Sequence, residues 1–469
     1  PISETANIIN ANDLRIDWTE LIDAKELDYI IGNPPFVGAR LMNSEQNSDI
    51  NLVFNGIKNI GNLDYVSAWY AKSARMIKEN KDLRVAFVST NSICQGEQVS
   101  ILWKYILEDN FCKIDFAYRT FKWSNDAKYK AAVYCVIIGF SSMKKRIDKK
   151  IIYENDGTFQ EVQNINGYLV DAGNVYIESR RKPLCDVQEI GMGNQPIDDG
   201  NYLFTKEEME KFIKEEPQSK KYFMEWYGAR EFINNNPRYC LYLGDLKPSK
   251  IRTMPLVMER VKNVSEFRLK STRKNTLKIA NTPTKFQTTN ISKSNYLLIP
   301  RVTSENRKYI PIGFMSSNSI ASDAVLIMPN ASIYHFGILT SNVHNAWIRA
   351  VGGRLKGDYR YSKNIVYNNF PWPKTNEKVK IIVSQKAELV LKVRKKYQDW
   401  SYRDLYDPLF MPEDLLKAHR ELDKAVWEAY GESWNIDSES DCVEYLMKLY
   451  SKLILLSNKI ILKTSKYTI

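Results

Sequence analysis

The fold of this chain is decided by residues 27–36, which have the sequence LDYIIGNPPF. Leu27–Gly32 is a short apolar run that predicts a buried strand. Asn33-Pro34-Pro35 cannot continue a sheet, because proline lacks an N–H and has a fixed φ, and the residue before it is driven to extended geometry. Ligands of open parallel sheets bind beyond the carboxyl ends of the strands, so we expect a ligand site at Asn33–Phe36.

Strand and helix signals alternate downstream of this motif. Helical spacing of apolar residues predicts helices over 63–80 and 96–107, and an apolar run predicts a strand over 83–89. Two further strands, 112–118 and 131–140, are separated by so short a polar stretch that they can form an antiparallel pair. The order predicts a mostly parallel sheet with helices on both faces, the second half of a doubly wound fold without the glycine-rich turn of the first half.

The remaining chain divides by composition. An α/β domain is expected over 1–142, followed by a charged, irregular connector over 143–182. Short strand-like runs between Gly, Pro, Asn and Ser clusters predict a separate β-rich α+β domain over 183–373. Helical spacing predicts a C-terminal helical region over 374–469, in which Pro412 can start the second helix.

Bulk composition favours some function classes and excludes others. Lys and Arg outnumber Asp and Glu by 67 to 55 among 469 residues, and the net charge of +12 indicates a polyanionic partner such as nucleic acid. The six cysteines form no CxxC pair and the three histidines do not cluster, which argues against a zinc ribbon, a disulfide framework and a histidine-based metal nuclease. We find no signal peptide, and the apolar runs are too short to span a bilayer. The chain starts with Pro1 and enters structure at once, so we expect it to be cut from something longer.

The chemistry of Asn33-Pro34-Pro35-Phe36 suits an aromatic amine. The Asn33 side chain and the free prolyl carbonyls are hydrogen-bond acceptors, and Phe36 is a flat apolar plate. Acceptors that engage both N–H bonds of an exocyclic amine can direct its lone pair towards a positively charged methylsulfonium. Inside a duplex such a base cannot be reached and must be flipped out. The alternative is a loop in which NPP merely ends a strand.

The motif also carries a resemblance to a known family. DYIIGNPPF is similar to motif IV of the amino-group DNA methyltransferases, and Asn33 resembles the adenine-N6 type rather than the cytosine-N4 type, which more often has Ser. The wider sequence resembles the MmeI-like family of large type II restriction-modification proteins. Matching segments cover nearly the whole chain in order and include NPPFVGA, LDYVSAWY, AFVSTNSICQGEQV, GRLKGDYRYS and LYDPLFMP.

The resemblance implies a function and a set of site residues. It implies a bacterial, cytoplasmic, adenine-specific DNA methyltransferase that transfers a methyl group from S-adenosylmethionine to N6 of a flipped adenine in double-stranded DNA, without a metal. The implied residues are Asn12, Asp13 and Asp17 at the cofactor, Asn33, Pro34, Pro35 and Phe36 at the target amine, and Phe121 and Trp123 stacked against the base. The alternative for Phe121 and Trp123 is packing within a hairpin.

The chain also departs from the family pattern. Family members have a glycine-rich cofactor motif and an acidic ribose contact upstream of NPPF, and this sequence starts after both. The run Gly191-Met192-Gly193 follows no clear strand-to-helix unit. We therefore expect the chain alone to bind S-adenosylmethionine weakly or not at all, and to need a missing N-terminal segment or a companion subunit for activity. Asp64 with Glu79 and Lys81 mimics the spacing of a PD-ExK nuclease, but in a helical segment, which indicates coincidence.

Residues 183–373 resemble the target recognition domain of the same family. Three runs concentrate cations, at 268–278, 300–309 and 352–362. The residues expected to contact DNA are Arg273, Lys274, Arg301, Ser304, Arg307, Arg354, Lys356 and Arg360. The alternative for each run is a solvated charged loop.

Two other functions are compatible with the sequence. NPP followed by Phe or Tyr also occurs in methyltransferases that modify RNA bases or protein glutamine, although these generally lack a large C-terminal recognition domain. Alternatively, without the cofactor half, the chain acts only as a non-catalytic DNA-specificity piece.

Overall fold

The computed structural model describes residues 8–123, 133–431 and 438–465, with side chains up to residue 457. Residues 131–132 of the predicted strand 131–140 lie outside these ranges, as do residues 432–437 and 466–469 of the predicted helical region. The chain divides into two compact units. The first comprises Pro1–Arg180, Ala350–Gly357 and Ser440–Ile469, and the second comprises Arg181–Arg349 and Asp358–Glu439.

The first unit is built on a six-stranded sheet in the order β1-β2-β4-β3-β5-β6. Its strands are β1 Tyr29–Gly32, β2 Arg84–Thr90, β3 Cys112–Trp123, β4 Val133–Ser142, β5 Lys150–Tyr153 and β6 Phe159–Val162. The first four strands were predicted from the sequence, and the predicted antiparallel pair of β3 and β4 is confirmed. The prediction that β1 is buried was wrong, since Tyr29 is 63% exposed and Ile31 is 78% exposed. The expectation of a mostly parallel sheet was wrong, since only β1–β2 and β3–β5 are parallel. The short β3–β4 connection returns the chain antiparallel and inserts β4 between β2 and β3.

Among the described residues, the first unit includes the helices α1 Ser44–Val53, α2 Ser67–Glu79 and α3 Gly96–Lys104, the last continued by a π-helical turn over Tyr105–Asp109. The Tyr70 ring of α2 is fully buried and lies 5.1 Å from Phe87 of β2 and 5.5 Å from Phe140 of β4, between ring centroids. Trp103 of α3 packs against the same Tyr70 at 5.7 Å. One aromatic cluster therefore fixes α2 and α3 on one face of the sheet.

The chain beyond β6 adds shorter strands: β7 Gly191–Met192, β8 Leu203–Phe204, β9 Phe223–Tyr227, β10 Arg238–Leu241, β11 Tyr296–Pro300, β12 Val302–Thr303, β13 Gly313–Met315, β14 Ser319–Ala321, β15 Val325–Pro329, β16 Gly353–Leu355 and β17 Asp358–Arg360. The second unit contains two four-stranded sheets, β14-β9-β10-β8 and β13-β11-β15-β7. In addition, β12 pairs antiparallel with β17.

Helices are more frequent in this part than the sequence analysis indicated. They are α4 Lys206–Glu215, α5 Ala229–Ile233, α6 Pro248–Ile251, α7 Pro255–Leu269, α8 Lys274–Lys278, α9 Ile333–Thr340 and α10 Asn342–Val351, followed by α11 Glu377–Lys396, α12 Tyr402–Leu405, α13 Glu413–Ala429 and α14 Glu439–Ser465. Pro412 is the N-cap of α13, as predicted. All six thiols are free, and five of the six cysteines are buried. No helix in the described part of the chain combines the length and the apolar character that crossing a bilayer demands.

Candidate functional site

Three chain segments end at the same edge of the six-stranded sheet. β1 is parallel to β2, and β4 is antiparallel to both β2 and β3, so β1, β2 and β3 all run in one direction. β1 leads into Asn33–Phe36, β2 leads into Asn91–Ser92, and β3 ends with Phe121–Trp123. The sheet thus brings the predicted amine-binding motif and the predicted stacking aromatics to one edge, where open α/β sheets bind ligands.

The motif at the end of β1 presents two hydrogen-bond acceptors that are unpartnered in the described part of the chain. Asn33 is exposed, Pro34 is buried, Pro35 is exposed and Phe36 is half-buried. Within residues 8–123, 133–431 and 438–457, neither the Asn33 carboxamide nor the Pro34 carbonyl has a hydrogen-bond partner. The half-buried Phe36 ring next to these two acceptors can bind an amine attached to a flat apolar ring.

A buried carboxylate, Asp64, connects the chain after the motif to the loop after β2. Asp64 Oδ1 accepts a hydrogen bond from the Ala39 N–H at 2.8 Å, and Oδ2 accepts one from the Ser92 hydroxyl. The backbone on either side is also fixed: Asp64 N–H donates to Gln98 Oε1 at 3.0 Å, and the next N–H, of Tyr65, donates to the Val37 carbonyl at 2.9 Å. Asp64 therefore holds together the two loops that border the site.

In the sequence, Asp64 stands out only as part of a nuclease-like spacing with Glu79 and Lys81. Asp64 precedes α2, whereas Glu79 is the last residue of that helix. At about 1.5 Å of rise per residue the helix separates the two by roughly 20 Å, so they cannot share one metal ion. The described ranges contain no cluster of three or more His, Cys, Asp or Glu side chains that could hold a metal.

The predicted cofactor segment is anchored on a second buried carboxylate, Asp49 of α1. Asp49 accepts hydrogen bonds from Arg15 Nε at 2.6 Å, the Tyr65 hydroxyl at 2.7 Å and Asn12 Nδ2 at 3.2 Å. Burial raises the pKa of Asp49, but these hydrogen bonds outweigh it and lower the pKa below its usual value. The charged carboxylate is thus the stable form and fixes Asn12 in place.

The other two predicted cofactor residues have partners inside the chain. The Asp13 carboxylate accepts a hydrogen bond from Trp69 Nε1 at 2.6 Å, and the Asp13 carbonyl accepts one from Lys72 Nζ at 2.8 Å. Asp17 caps a 3₁₀ turn and accepts from the Thr19 N–H at 3.0 Å. The side chains of Asn12, Asp13 and Asp17 are all exposed on the surface of the first unit. Together they can form one side of a cofactor site. Asp17 has a sufficient structural role as a cap.

The predicted stacking aromatics lie on one face at the end of β3. Phe121 pairs with Cys135, and Trp123 pairs with Val133, after a β-bulge that follows Tyr118. Residues two apart on a strand face the same way, and the Phe121 and Trp123 ring centroids are 6.2 Å apart. Phe121 is half-buried and Trp123 is exposed, so both rings are accessible from the sheet edge.

The predicted DNA contacts fall into separate places. Arg273 and Lys274 are exposed at the start of α8. Arg301 is half-buried and donates to the Asp323 carbonyl at 2.8 Å. Arg307 is half-buried as well, and burial lowers its pKa. Ser304 is half-buried, and its carbonyl accepts the Arg307 N–H.

The third cationic run is divided between the two units. Arg360 of β17 is exposed in the second unit and pairs with Val302 of β12, which joins it to the 300–309 run. Arg354 and exposed Lys356 belong to the first unit. A Cβ placed on Gly96, which has φ +56° at the start of α3, would lie 3.7 Å from Gly353. The run 352–357 therefore reaches α3 near the candidate site.

One cation of the first run has a structural role that the sequence analysis missed. Arg268 is fully buried, and it donates hydrogen bonds to five backbone carbonyls. Those acceptors are Pro196, Ile197, Ile279, Thr282 and Lys285. Arg268 cannot reach DNA, in contrast to exposed Arg273 five residues further on.

Comparison with known proteins gives consistent matches along the chain. The chain matches the models of the MmeI DNA-methyltransferase domain over residues 1–154, the MmeI target recognition domain over 171–374 and the MmeI C-terminal domain over 375–456. It is 40% identical over 455 residues to DNA methyltransferase A of Bacillus subtilis (strain 168). The aligned region covers 97% of this chain and 51% of that protein. The chain thus spans about half the length of this curated relative.

A solved structure agrees with these matches. The Type IIL restriction-modification enzyme MmeI, determined in complex with DNA, superposes with a TM-score of 0.90 and 47% sequence identity. The superposition covers 97% of this chain and 61% of the MmeI chain.

Proposed function

This chain belongs to the MmeI family of restriction-modification proteins, and from that premise we propose that it carries the target-base site and the DNA-reading part of an adenine-specific DNA methyltransferase. The observation that supports the proposal best is the Asn33-Pro34-Pro35-Phe36 motif at the carboxyl end of β1, because the Asn33 carboxamide and the Pro34 carbonyl have no hydrogen-bond partner among the described residues. The proposed substrate is double-stranded DNA in the bacterial cytoplasm. The proposed methyl donor is S-adenosylmethionine.

In the proposed reaction, the chain positions an adenine that has left the duplex. Asn33 Oδ1 and the Pro34 carbonyl each accept a hydrogen bond from one of the two N–H groups of the N6 amine. These two hydrogen bonds direct the nitrogen lone pair out of the ring plane. Phe36 supports the ring, and Phe121 or Trp123 covers its other side. S-adenosylmethionine supplies an electrophilic methyl group when it is bound. Asp64 acts as a positioning residue, because it fixes the chain after Phe36 to the loop after β2.

The described residues fit only part of the cofactor. Asn12 and Asp13 form a fixed, exposed wall, but no glycine-rich turn that could cradle the methionine end adjoins β1 in the described ranges. We propose that the chain alone binds S-adenosylmethionine weakly and needs a further segment or a companion subunit. Calorimetric titration of the chain with S-adenosylmethionine measures this, and micromolar affinity would refute it.

Contact with DNA is proposed for both units. Arg354 and Lys356 lie in the first unit beside α3, so they are suited to phosphates next to the flipped base. Arg273, Lys274, Arg301, Ser304, Arg307 and Arg360 are the proposed contacts in the second unit. A recognition domain of this size favours duplex DNA over an RNA base or a protein glutamine as substrate.

The test uses a longer form of the protein that includes the reading frame upstream of residue 1. This form is incubated with S-adenosylmethionine and a DNA library, and methylated adenines are mapped. Asn33→Ala should abolish methylation and leave sequence-specific DNA binding nearly intact. Loss of both methylation and binding would show that Asn33 has a structural role instead.

A further inference from the structure

The cationic run 300–309 of the second unit contains a short loop, residues 304–308, directly after β12. The loop makes a turn in which the Arg307 N–H donates a hydrogen bond to the Ser304 carbonyl. Arg307 Nε is buried and has no hydrogen-bond partner among the described residues, which suits it to an acceptor supplied by a ligand. The direction of the Arg307 side chain therefore depends on how the two ends of the loop are held.

Helices α10 and α11 hold the chain that follows the loop. The Ile310 N–H donates to Asn345 Oδ1 of α10 at 3.0 Å. The Ile312 carbonyl accepts a hydrogen bond from Arg394 Nη1 of α11 at 2.6 Å. Asn345 and Arg394 are both buried, so two buried polar side chains fix the backbone within a few residues of the loop.

Helix α13 holds Tyr309, the residue at the exit of the loop. The Tyr309 hydroxyl donates to Asp423 Oδ2 at 2.6 Å, and the Tyr309 ring stacks on His419 with centroids 4.1 Å apart. Asp423 Oδ1 accepts a hydrogen bond from the N–H of Asn342, the first residue of α10, at 2.7 Å. Tyr309 and Asp423 are 1% and 2% exposed. One buried carboxylate thus joins the loop exit to two helices.

The His419 ring is itself fixed in one orientation and one tautomer. Arg394 Nε donates to the Tyr406 hydroxyl at 2.6 Å, so that hydroxyl directs its own proton to His419 Nε2, at 2.8 Å. An accepting Nε2 leaves the proton of the neutral ring on Nδ1. Burial, together with the charge of Arg394, lowers the pKa of His419 well below its usual value, in agreement with a neutral ring. His419 is therefore a rigid platform beneath Tyr309.

We propose that Asp423 and His419 are positioning residues for DNA reading. By fixing Tyr309, they set the direction in which the 304–308 loop presents Arg307 to base edges. The inference rests on the proposed DNA-reading role of the second unit and extends it, because it gives the C-terminal helical region a share in sequence discrimination. Base contacts require donors placed to within about 0.5 Å, whereas attraction to phosphates acts over about 10 Å at ordinary ionic strength. A loosened loop should therefore lose discrimination rather than overall affinity.

The test compares two tyrosine variants of the full chain. Tyr309→Phe removes the hydroxyl from Asp423 and keeps the ring on His419. Tyr397→Phe is the matched control, because the Tyr397 hydroxyl donates to another carboxylate of α13, Asp414 Oδ1, at 2.9 Å. Asp414 and Asp423 are separated by roughly 14 Å along the helix. The probes are a duplex that the wild-type chain selects from a random DNA library and a scrambled duplex of the same composition.

The expected readout is the ratio of the affinities for the selected and the scrambled duplex. Tyr309→Phe should lower this ratio at least about fivefold, the loss of roughly one base contact, with the salt dependence of binding unchanged. Tyr397→Phe should keep the wild-type ratio. Asp423→Ala should lower the ratio as well, and Asp423→Asn should restore it. The carboxamide can accept from the Asn342 N–H and donate to the Tyr309 hydroxyl.

All variants are compared at a temperature at which circular dichroism shows that they are folded. The inference is overturned if Tyr309→Phe keeps the wild-type ratio. It is also overturned if the affinities for both duplexes fall in parallel, because that is the result of a merely structural role. Either result leaves the proposed function standing, provided that the wild-type chain selects a sequence. A wild-type chain that selects no sequence would contradict the proposed DNA-reading role and this inference together.

Discussion

Substitution of Arg268 by Met should destabilise the second unit strongly, although Arg268 belongs to a run that looks like a DNA contact. Its guanidinium donates hydrogen bonds to five backbone carbonyls, including those of Pro196 and Ile197. Two of these carbonyls, those of Ile279 and Thr282, also accept a backbone N–H. The other three have no second partner among the described residues.

The expected magnitude follows from those three carbonyls. Each buried acceptor left unpaired costs about 1–1.5 kcal/mol, so Arg268→Met should lower the free energy of unfolding by roughly 4 kcal/mol. The assay is urea denaturation followed by circular dichroism, on the full chain. Arg273→Met is the control, because Arg273 is exposed, and it should change stability by less than about 0.5 kcal/mol. Arg273→Met should instead reduce the slope of log affinity for DNA against log salt by about 1. Equal stability of the two variants would refute the reasoning.

Three further outcomes are expected. Asp64→Asn, in a form that methylates DNA, should lower kcat at least about tenfold with little change in DNA affinity, and a parallel loss of both would indicate a folding role. Asp423 of α13 is buried and accepts hydrogen bonds from the Tyr309 hydroxyl at 2.6 Å and the Asn342 N–H at 2.7 Å. Burial raises the pKa of Asp423 to about 7, so the folded state binds its proton more tightly than the unfolded state. The contribution of Asp423 to the free energy of unfolding should therefore fall as pH rises from about 4 to about 7. The reasoning is contradicted if Asp423→Asn shows the same dependence of unfolding free energy on pH as the wild type. Trp123→Ala should increase the fluorescence of a 2-aminopurine placed at the target position, since a stacked ring quenches it, and unchanged emission would remove Trp123 from the pocket.

Much of the first unit could be predicted because its signals are local. Strands and amphipathic helices have hydrophobic patterns that can be recognised within a short stretch of sequence. Pro34 also ends β1 where the sequence predicts that the strand ends. The mixed character of the sheet was missed because β4 inserts itself between two earlier strands, which no local pattern specifies. The helix α4 carried a visible signal, since Thr205 and Glu208 form a capping box.

The site was only partly accessible to sequence reasoning, for a similar reason. Asn33 and its prolines are contiguous, so their chemistry could be inferred from one window. Asp64 acts through Ala39 and Ser92, which lie 25 and 28 residues away. Arg268 and Arg273 lie in the same cationic run of the sequence. Only tertiary packing makes Arg268 a buried structural residue and leaves Arg273 exposed on the surface.

The central claim is that the site at the end of β1 presents an adenine amine for methylation. The most direct measurement is mass spectrometry of nucleosides from DNA treated with the longer form and deuterated-methyl S-adenosylmethionine. The account predicts labelled N6-methyladenine, lost in Asn33→Ala while DNA binding persists. Label on cytosine, or no label with correctly folded and DNA-bound protein, would contradict it.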